Sequence, residues 1–380
     1  MTESDRSQSK HSNRVQGSKL ALFLPSLRGG GAERVLVNLA NGFAERGYGV
    51  DLVLAKAEGV YFDQLSPAVR VVDLHAPRVL RALPGLVSYL RRERPAALLS
   101  ALNHANVIAC LAHRLARVPT RLVISERNTL SVSRPQNARG RLVPWFMRWT
   151  YPWADAVVAV SQGVADDLVR TLGIAAERVK VIYNPVVDDE LLAKAQEPLD
   201  HPWFTDGAPT VVLGVGRLTE QKDFPTLIRA FARVRTHRRA RLMILGEGEL
   251  RPQLEALVRQ LGLQDDVALP GFVANPFAYM ARAAVFVLSS RWEGLPGALI
   301  QAMACGAPVV STDCPSGPRE ILEDGRWGRL VPVGDVDALA EAISATLSDG
   351  KRPDVAARAA AFRVEEAVEG YLHVMGVRHG

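Results

Sequence analysis

The chain has 380 residues, of which 48% are hydrophobic and 23% charged, and it carries a formal net charge of +6. A single hydrophobic core stops growing at roughly 250–300 residues, so this length predicts two domains. The composition is that of an ordinary globular protein, so disorder is predicted only at the chain ends. Residues 1–17 are almost entirely polar and are predicted to be a disordered tail.

Export, disulfide bonding and membrane spanning are all disfavoured by the sequence. The polar N-terminus lacks the apolar core of a secretory signal. Three widely spaced cysteines, Cys110, Cys305 and Cys314, match neither a disulfide framework nor a zinc-ligand pattern. Residues 95–113 and 294–312 are free of Asp, Glu, Lys and Arg, but polar residues or helix breakers interrupt both, so we predict core elements there. We therefore expect a cytoplasmic protein.

The positive charge is concentrated in the first half of the chain. Residues 1–190 carry 25 Lys and Arg against 17 Asp and Glu, a balance of +8, whereas the remainder has a balance of −2. A basic half predicts an anionic partner, and charge alone leaves a lipid surface, phosphate groups and nucleic acid open.

In the first half, apolar runs of strand length alternate with amphipathic segments of helix length. The runs show little alternation of polar and apolar residues, which is typical of parallel strands covered on both faces. The predicted strands are residues 19–25, 49–55, 69–74, 97–101, 121–125, 156–160 and 180–183. The predicted helices include residues 33–46, 80–92 and 162–172, and Ser161 is placed to cap the last of them.

The second half repeats this alternation. Its predicted strands are residues 210–216, 241–245, 267–269, 285–288, 308–311 and 329–331. Its predicted helices include residues 225–235, 250–261, 297–304 and 336–347. Strand–helix alternation over both halves predicts an α/β fold of two Rossmann-like, doubly wound domains that face a central cleft.

The predicted domain boundary lies in a segment rich in Pro, Gly and Asp. We place a first domain at residues 18–185, a linker at 186–208 and a second domain at 209–350. Residues 354–375 are predicted to form a helix, within a C-terminal segment 351–380 that packs back across the gap between the domains.

Ligands of such folds bind at the carboxyl ends of the strands, so residues directly after strands are candidates for a site. Residues 27–33, LRGGGAE, follow the first predicted strand and precede a helix. Gly30 and Gly31 let the backbone approach a ligand, and the helix N-terminus offers free amides. We predict diphosphate or sugar contact there, with a merely tight turn as the alternative. The spacing fits neither the dinucleotide fingerprint nor a Walker A loop.

Two cations follow the first strand of the second half. Arg217 comes directly after that strand, and Lys222 precedes the next helix. Two cations on one loop can clamp a diphosphate and stabilise the negative charge that develops on it as a leaving group. The alternative is a pair of exposed surface cations.

A longer motif, SRWEGLPGALIQAMACGAPVV, spans residues 290–310 and starts at the end of a predicted strand. It offers a carboxylate in the turn, backbone amides near a helix N-terminus and a polar side chain one turn into that helix. The candidate ligand contacts in this motif are Glu293, Gly294, Leu295, Gly297 and Gln301. Such a set suits a sugar nucleotide, because the carboxylate can hold hydroxyls and the amides can hold phosphates.

With this motif the sequence resembles glycosyltransferase family 4, over nearly all of residues 19–350. The family carries a Glu-x7-Glu motif followed by Ala-Met-Ala-x-Gly-x-Pro-Val, and Glu293 and Gln301 occupy the two acidic positions. The Gly-Gly-Ala-Glu turn, the Gly-Arg-Leu…Lys-Asp stretch and the Tyr-Asn-Pro and Gly-Glu-Gly tripeptides are similar to the family as well. Residues 315–322, PSGPREIL, resemble a subgroup that builds bacterial surface polysaccharides.

The resemblance implies a retaining glycosyltransferase of the GT-B fold, with an acceptor-binding first domain and a nucleotide-sugar-binding second domain. It implies transfer of a hexose or N-acetylhexosamine from a nucleotide diphosphate sugar, with UDP favoured and GDP left open, to a lipid-linked or polysaccharide acceptor. It implies no metal and no cofactor. Arg217 and Lys222 would contact the diphosphate, and Glu293 the donor sugar. Gln301 would hold ribose hydroxyls more weakly than the family's carboxylate does.

Other candidate residues follow further predicted strands. His104 is predicted to contact the donor sugar or orient the acceptor, against the alternative of a structural histidine. Arg127 and Asn128 are predicted to form an acceptor-side loop, against simple turn chemistry. Further substrate contacts are predicted at Asn184, Glu247 and Val273. Asp335 and Asp337 match a D-x-D metal pattern, but Asp335 is predicted to cap the following helix instead.

Two segments of the basic half mix arginine with apolar residues, 77–92 and 139–149. Arginine beside tryptophan suits an anionic interface, whereas the alternative is a helix packed on the sheet with solvated arginines. We predict peripheral binding to the cytoplasmic face of the inner membrane, where the protein would reach a polyprenyl-diphosphate-linked glycan.

Three rival functions remain open at this stage. A nucleotide-sugar epimerase can share the fold, and isomerisation of the donor without transfer would reveal it. A nicotinamide oxidoreductase would need a dinucleotide fingerprint, which the chain lacks. A basic protein that binds nucleic acid or another anion without catalysis would need a recognition helix or a stacking platform, so we predict no nucleic-acid partner.

Overall fold

The computed structural model describes residues 18–127, 129–131, 143–349 and 353–377. They form two α/β domains, each built on one wholly parallel sheet, so the predicted fold class is confirmed. The predicted tail, residues 1–17, and Asn128 lie outside the described residues. No helix within the described ranges is both long enough and apolar enough to cross a membrane.

The first domain contains a seven-stranded sheet with the strand order β3-β2-β1-β4-β5-β6-β7. Its strands are β1 (Lys19–Leu24), β2 (Gly49–Leu54), β3 (Val69–Asp73), β4 (Ala97–Ala101), β5 (Arg121–Glu126), β6 (Ala156–Ala159) and β7 (Val179–Val181). Its helices are α1 (Gly31–Glu45), α2 (Leu83–Glu93), α3 (Asn103–Ala116), α4 (Val143–Thr150) and α5 (Gln162–Leu172). Helix α5 begins where Ser161 accepts a hydrogen bond from the amide of Val164, so the predicted cap is confirmed.

The second domain contains a six-stranded sheet with the order β10-β9-β8-β11-β12-β13. A helix in the predicted linker precedes it, α6 (Asp189–Gln196). The strands are β8 (Thr210–Val215), β9 (Ala240–Leu245), β10 (Val267–Gly271), β11 (Val285–Leu288), β12 (Val309–Thr312) and β13 (Arg329–Val331). The helices are α7 (Phe224–His237), α8 (Arg251–Gln260), α9 (Pro276–Arg282), α10 (Gly297–Ala304), α11 (Pro318–Ile321) and α12 (Val336–Ser348).

Strand order reverses beside the first strand of each sheet. Strand β1 lies between β2 and β4, and β8 lies between β9 and β11. Successive connections therefore leave β1 and β8 toward opposite sides, which opens a crevice at the carboxyl ends of these strands. The glycine loop, residues 27–33, follows β1, and the loop that carries Arg217 follows β8. Both candidate loops therefore lie at such crevices.

The C-terminal segment returns from the second domain to the first as two helices, α13 (Val355–Ala359) and α14 (Val364–Val374). Helix α13 packs on α10 and α14 packs on α1. The single helix predicted over residues 354–375 is wrong, because the chain is extended at Arg363. The carbonyl of Phe362 there accepts hydrogen bonds from the amides of Val186 and Val187, which pairs this backbone with the linker instead of a continuing helix.

Candidate active site

A cavity of about 610 Å³ lies between the carboxyl ends of the two sheets. It is lined by residues of both domains and of the linker. Among the predicted site residues, the first half contributes Gly30, Gly31, Arg127 and Asn184 to its wall. The second half contributes Arg217, Lys222, Glu293, Gly294, Leu295, Gly297 and Gln301. The structure thus brings together residues that are more than 250 positions apart in the sequence, such as Gly30 and Gln301.

Three predicted site residues are not part of this wall. Glu247 is exposed and binds Arg251, the first residue of α8, at 2.6 Å, and this partner lowers the pKa of the Glu247 carboxyl. Val273 is half-buried against the core of the second domain. His104 is the second residue of α3; its ring remains accessible, although the surrounding protein lowers its pKa by partial desolvation.

Arg217 is exposed toward the cavity and forms no ion pair or side-chain hydrogen bond with the described chain. Its loop is shaped by glycine, because a Cβ at Gly246 would lie 2.0 Å from the carbonyl oxygen of Gly216. Gly246 also has a φ of +138°, which only glycine adopts easily. The loop therefore presents a guanidinium that is ready to bind an anion.

Lys222 and Glu293 form an ion pair across the cavity floor, with 2.6 Å between Nζ and Oε1. The Ser290 hydroxyl donates to the same oxygen at 2.7 Å, and the Gln221 amide donates to the carbonyl of Trp292 at 2.9 Å. These bonds fix the carboxylate before any ligand arrives. Neither Ser290 nor Gln221 is among the predicted site residues, although both lie within three residues of one.

Helix α10 begins directly at the cavity. Its backbone starts after Pro296, so the first amides of the helix have no carbonyl of an earlier turn to bind. Gln301 lies one turn into the helix and is half-buried, and its side-chain amide has no hydrogen-bond partner in the described ranges. The arrangement leaves backbone donors and one polar side chain available to a ligand.

The glycine loop binds a carboxylate of its own chain. The backbone amides of Gly29 and Gly30 both donate to the Oε2 atom of Glu33, the former at 3.2 Å. The Glu33 side chain itself lines the cavity. A ligand anion that approaches these two amides would have to displace Glu33, a competition that the glycine pattern alone does not predict.

Arg127 is 7% exposed and lies in the wall formed by the first domain. Its guanidinium donates to the side-chain oxygens of Asn184 and Ser125, the latter at 3.2 Å. The Ser125 hydroxyl lies 3.0 Å from the Tyr371 hydroxyl on α14. Burial lowers the pKa of Arg127, and Tyr371 and Glu126 act in the opposite direction. The C-terminal helix therefore supports a wall of the cavity.

The two domains touch beside the cavity at the start of α5. The Ser161 hydroxyl donates to the carbonyl of Gly294 at 3.0 Å and lies 2.8 Å from the Ser316 hydroxyl. The Glu320 carboxylate accepts from the amide of Gln162 at 2.9 and 3.0 Å and from the Tyr183 hydroxyl at 2.8 Å. The PSGPREIL segment is thus an interdomain contact in this structure.

The acidic D-x-D pattern is used structurally. The Asp335 carboxylate accepts from the amide of Ala338 at 2.9 Å and caps α12, as predicted, and Asp337 pairs with Arg233. Across the described ranges, no three His, Cys, Asp or Glu side chains are grouped so as to hold a metal ion.

Two family models cover most of the chain. Residues 29–190 match the model described as "Glycosyltransferase Family 4", and residues 209–349 match the one described as "Glycosyl transferases group 1". The boundary between the two matches falls in the predicted linker.

Curated relatives extend over nearly the whole length. The Campylobacter jejuni N-acetylgalactosamine-N,N'-diacetylbacillosaminyl-diphospho-undecaprenol 4-alpha-N-acetylgalactosaminyltransferase is 33% identical, over 88% of this chain and 91% of the relative. The lipopolysaccharide core biosynthesis glycosyltransferase LpsE of Rhizobium meliloti is 32% identical, over 84% of this chain and 86% of the relative. Among solved structures, Anabaena HepE in complex with UDP matches with a TM-score of 0.76 at 23% identity, over 94% of this chain and 99% of that one.

Proposed function

The chain belongs to glycosyltransferase family 4 and has the GT-B fold, and from this membership we propose that it transfers a hexose or N-acetylhexosamine from a UDP-sugar to a lipid-linked or polysaccharide acceptor. The proposed role is the synthesis of a bacterial surface glycan. The names of the Campylobacter and Rhizobium relatives support this role, since one names a diphospho-undecaprenol acceptor and the other the lipopolysaccharide core.

The observation that carries the donor proposal is the pairing state of the two cations. Arg217 has no side-chain partner among the described residues, whereas Lys222 is held by Glu293 at 2.6 Å. A nucleotide diphosphate would find one free guanidinium and one oriented ammonium on the same loop. Both would stabilise the charge that grows on the diphosphate as the bond to the sugar breaks, and no metal is needed for this step.

We propose retention through attack on the same face from which the diphosphate departs. The leaving phosphate oxygen would take the proton of the acceptor hydroxyl, as the hydroxyl oxygen forms its bond to the anomeric carbon. The cavity carboxylates of the described chain are already engaged: Glu33 by amides, Asp188 as the α6 cap, Glu190 by Lys194 and Glu293 by Lys222. This supports a mechanism without a carboxylate nucleophile, and a trapped covalent glycosyl-enzyme would contradict it.

We further propose that the first domain binds the cytoplasmic face of the membrane through α4. Trp145 and Trp149 on this helix are 63% and 53% exposed, and Arg148 between them is exposed as well. Helix α4 packs on α3, and α3 packs on the arginine-rich α2. Exposed indoles next to arginines suit the interface of an anionic bilayer.

Sedimentation with vesicles tests the membrane proposal. At low salt the protein should sediment with phosphatidylglycerol vesicles, and less with phosphatidylcholine vesicles or in high salt. The Trp145→Ser/Trp149→Ser variant should lose at least half of this binding. The control is Phe272→Ser, which removes an aromatic ring of the second domain that is 81% exposed, more than either tryptophan. Equal binding of the control and the double variant would refute the proposal.

Calorimetry without divalent metal tests the donor proposal. Wild-type protein is titrated with UDP, GDP, ADP and NAD, and Arg217→Ala with whichever nucleotide binds. We expect UDP to bind, and the variant to lose roughly 10- to 100-fold in affinity, because a charge-assisted hydrogen bond is removed. Binding of NAD alone, or undiminished binding of UDP by the variant, would contradict the assignment.

A further inference from the structure

One cation of the cavity, Arg127, is buried and forms no ion pair within the part of the chain that the structure describes. The Arg127 side chain is 93% removed from solvent, since the residue is only 7% exposed. Within the described ranges its guanidinium donates to the side-chain oxygens of Ser125 and Asn184 and interacts with the Tyr371 hydroxyl, and all three groups are neutral. No carboxylate of the described ranges forms an ion pair with it, although buried charges in proteins are normally paired.

The neighbouring carboxylate does not fill this role. Glu126 lies on the same strand end, but its Oε2 atom accepts from the Tyr151 hydroxyl at 2.8 Å and its Oε1 atom from the backbone amide of Arg127 at 3.1 Å. These two hydrogen bonds join the carboxylate to the Arg127 backbone and to Tyr151, and neither involves the guanidinium. Its effect on the pKa of Arg127 is the smallest of the named contributions, after those of burial and Tyr371.

An arginine stays protonated even when burial lowers its pKa, because its ordinary pKa is above 12. Removal of a charge from water without a partner is destabilising, so such a group is retained where a ligand supplies the opposite charge. Arg127 lines the cavity, and its Nε has no acceptor within the described chain. Ser125 and Asn184 thus fix the position of the guanidinium, and its remaining N–H donors are available to a ligand in the cavity.

We propose that Arg127 is the phosphate-binding residue of the first domain and that it forms charge-assisted hydrogen bonds with a phosphate group in the cavity. Asn184, Ser125 and, through Ser125, Tyr371 position the guanidinium. The inference rests on the proposed glycosyltransferase function, which supplies two sources of phosphate: the donor diphosphate and the diphosphate of a lipid-linked acceptor. A planar guanidinium recognises phosphate oxygens in pairs, which favours this chemistry over a neutral hydroxyl.

The test compares two phosphate probes, UDP for the donor and farnesyl diphosphate for the acceptor, with farnesol as a neutral control. Binding is measured by calorimetry for wild type, Arg127→Met and Arg127→Lys. The matched control is Arg259→Met, which removes an exposed arginine of α8 that has no ion pair in the described chain. We expect Arg127→Met to bind at least one diphosphate roughly 10- to 100-fold more weakly than wild type does. Its affinity for farnesol should not change.

The pattern of losses identifies the source. A loss for farnesyl diphosphate alone assigns Arg127 to the acceptor, a loss for UDP alone assigns it to the donor, and either supports a phosphate site. If wild-type protein binds UDP and Arg127→Met binds each probe as tightly as wild type does, the inference is overturned and the proposed function still stands. Wild-type protein that binds neither probe contradicts the proposed function itself.

Thermal unfolding separates ligand binding from a structural role. Methionine fills a similar volume without a charge, so Arg127→Met should melt within about 2 °C of wild type or above it. Arg127→Lys should keep the charge, lose the paired hydrogen bonds and bind diphosphate with intermediate affinity. A fall in the melting temperature of several degrees for Arg127→Met would show that the guanidinium serves the fold, and would overturn the inference.

Discussion

At the scale of single residues, the donor side of the cavity differs from the family motif at one position. Gln301 stands where the motif has a carboxylate, and its side chain lines the cavity without a hydrogen-bond partner in the described ranges. A neutral amide forms weaker hydrogen bonds with hydroxyls than a carboxylate does. The position therefore offers a substitution that should improve binding.

Gln301→Glu should bind UDP about fivefold more tightly than wild type, because a charge-assisted hydrogen bond to ribose replaces a neutral one. The measurement is calorimetric titration with UDP at low and moderate salt. Gln253→Glu, on the exposed face of α8, controls for the added negative charge. Weaker binding by Gln301→Glu would indicate that the amide donates to the ligand, and would refute the assigned role.

At the scale of helices and strands, side-chain ion pairs join α2 to the sheet of the first domain in addition to hydrophobic packing. Glu93 at the end of α2 accepts from Lys19 on β1 at 2.6 Å and lies 3.0 Å from Arg70 on β3. Arg70 also binds Asp51 on β2, which accepts from the Tyr89 hydroxyl of α2 at 2.7 Å. One cluster thus fastens α2 to three adjacent strands.

Lys19 and Arg70 lower the pKa of Glu93 to about 2, against an ordinary value of 4.5. A carboxyl whose pKa is lower in the folded state stabilises the fold above pH 4.5, and this stability is lost as the pH falls toward 2. Glu93→Gln should therefore reduce the free energy of unfolding by about 1 kcal/mol at pH 7, a modest value because Lys19 and Arg70 are 39% and 51% exposed.

Urea unfolding of wild type and Glu93→Gln at pH 7, 4 and 3 measures this difference. It should shrink as the pH falls below 4.5, because the Glu93 carboxyl of unfolded wild-type protein then takes up a proton while the folded protein still holds it ionised, which favours unfolding. The exposed Glu177→Gln, with no ion pair in the described chain, is the control. A difference that is constant across this pH range would contradict the ionic explanation.

The sequence predicts elements well where the signal is local. The predicted bounds of α10 and β11 coincide with the observed ones, since a glycine–proline turn and a continuous apolar run mark them. The helix predicted over 354–375 is wrong because its break depends on backbone contacts with residues 186 and 187. The Ser125–Tyr371 contact joins residues 246 positions apart, and nothing in the sequence around either residue predicts it. Such partners follow from topology, which places α14 against the first domain.

At the scale of the whole molecule, the cavity exists because the two domains are held together beside it. The Glu320 carboxylate of the second domain binds the first amide of α5 and the Tyr183 hydroxyl, both in the first half of the chain. A carboxylate at a helix N-terminus is favoured by the helix dipole. Packing at this contact is close, because a Cβ at Gly163 would lie 2.8 Å from the Ser316 hydroxyl.

Glu320→Ala should therefore shift the free protein toward an open arrangement. The lost charge-assisted hydrogen bonds are worth roughly 1.5–3 kcal/mol, which is enough to change the ratio of closed to open molecules by about 10- to 100-fold. Small-angle X-ray scattering should then give a larger radius of gyration for Glu320→Ala than for wild type. If UDP bridges both domains, adding it should lower the radius of gyration of the variant toward the wild-type value. Glu341→Ala, on the exposed face of α12, removes the same charge away from the contact and should scatter like wild type. Identical scattering of Glu320→Ala and wild type would mean that the α14 crossing and the Ser161–Gly294 contact suffice to hold the domains, and that Glu320 only caps α5.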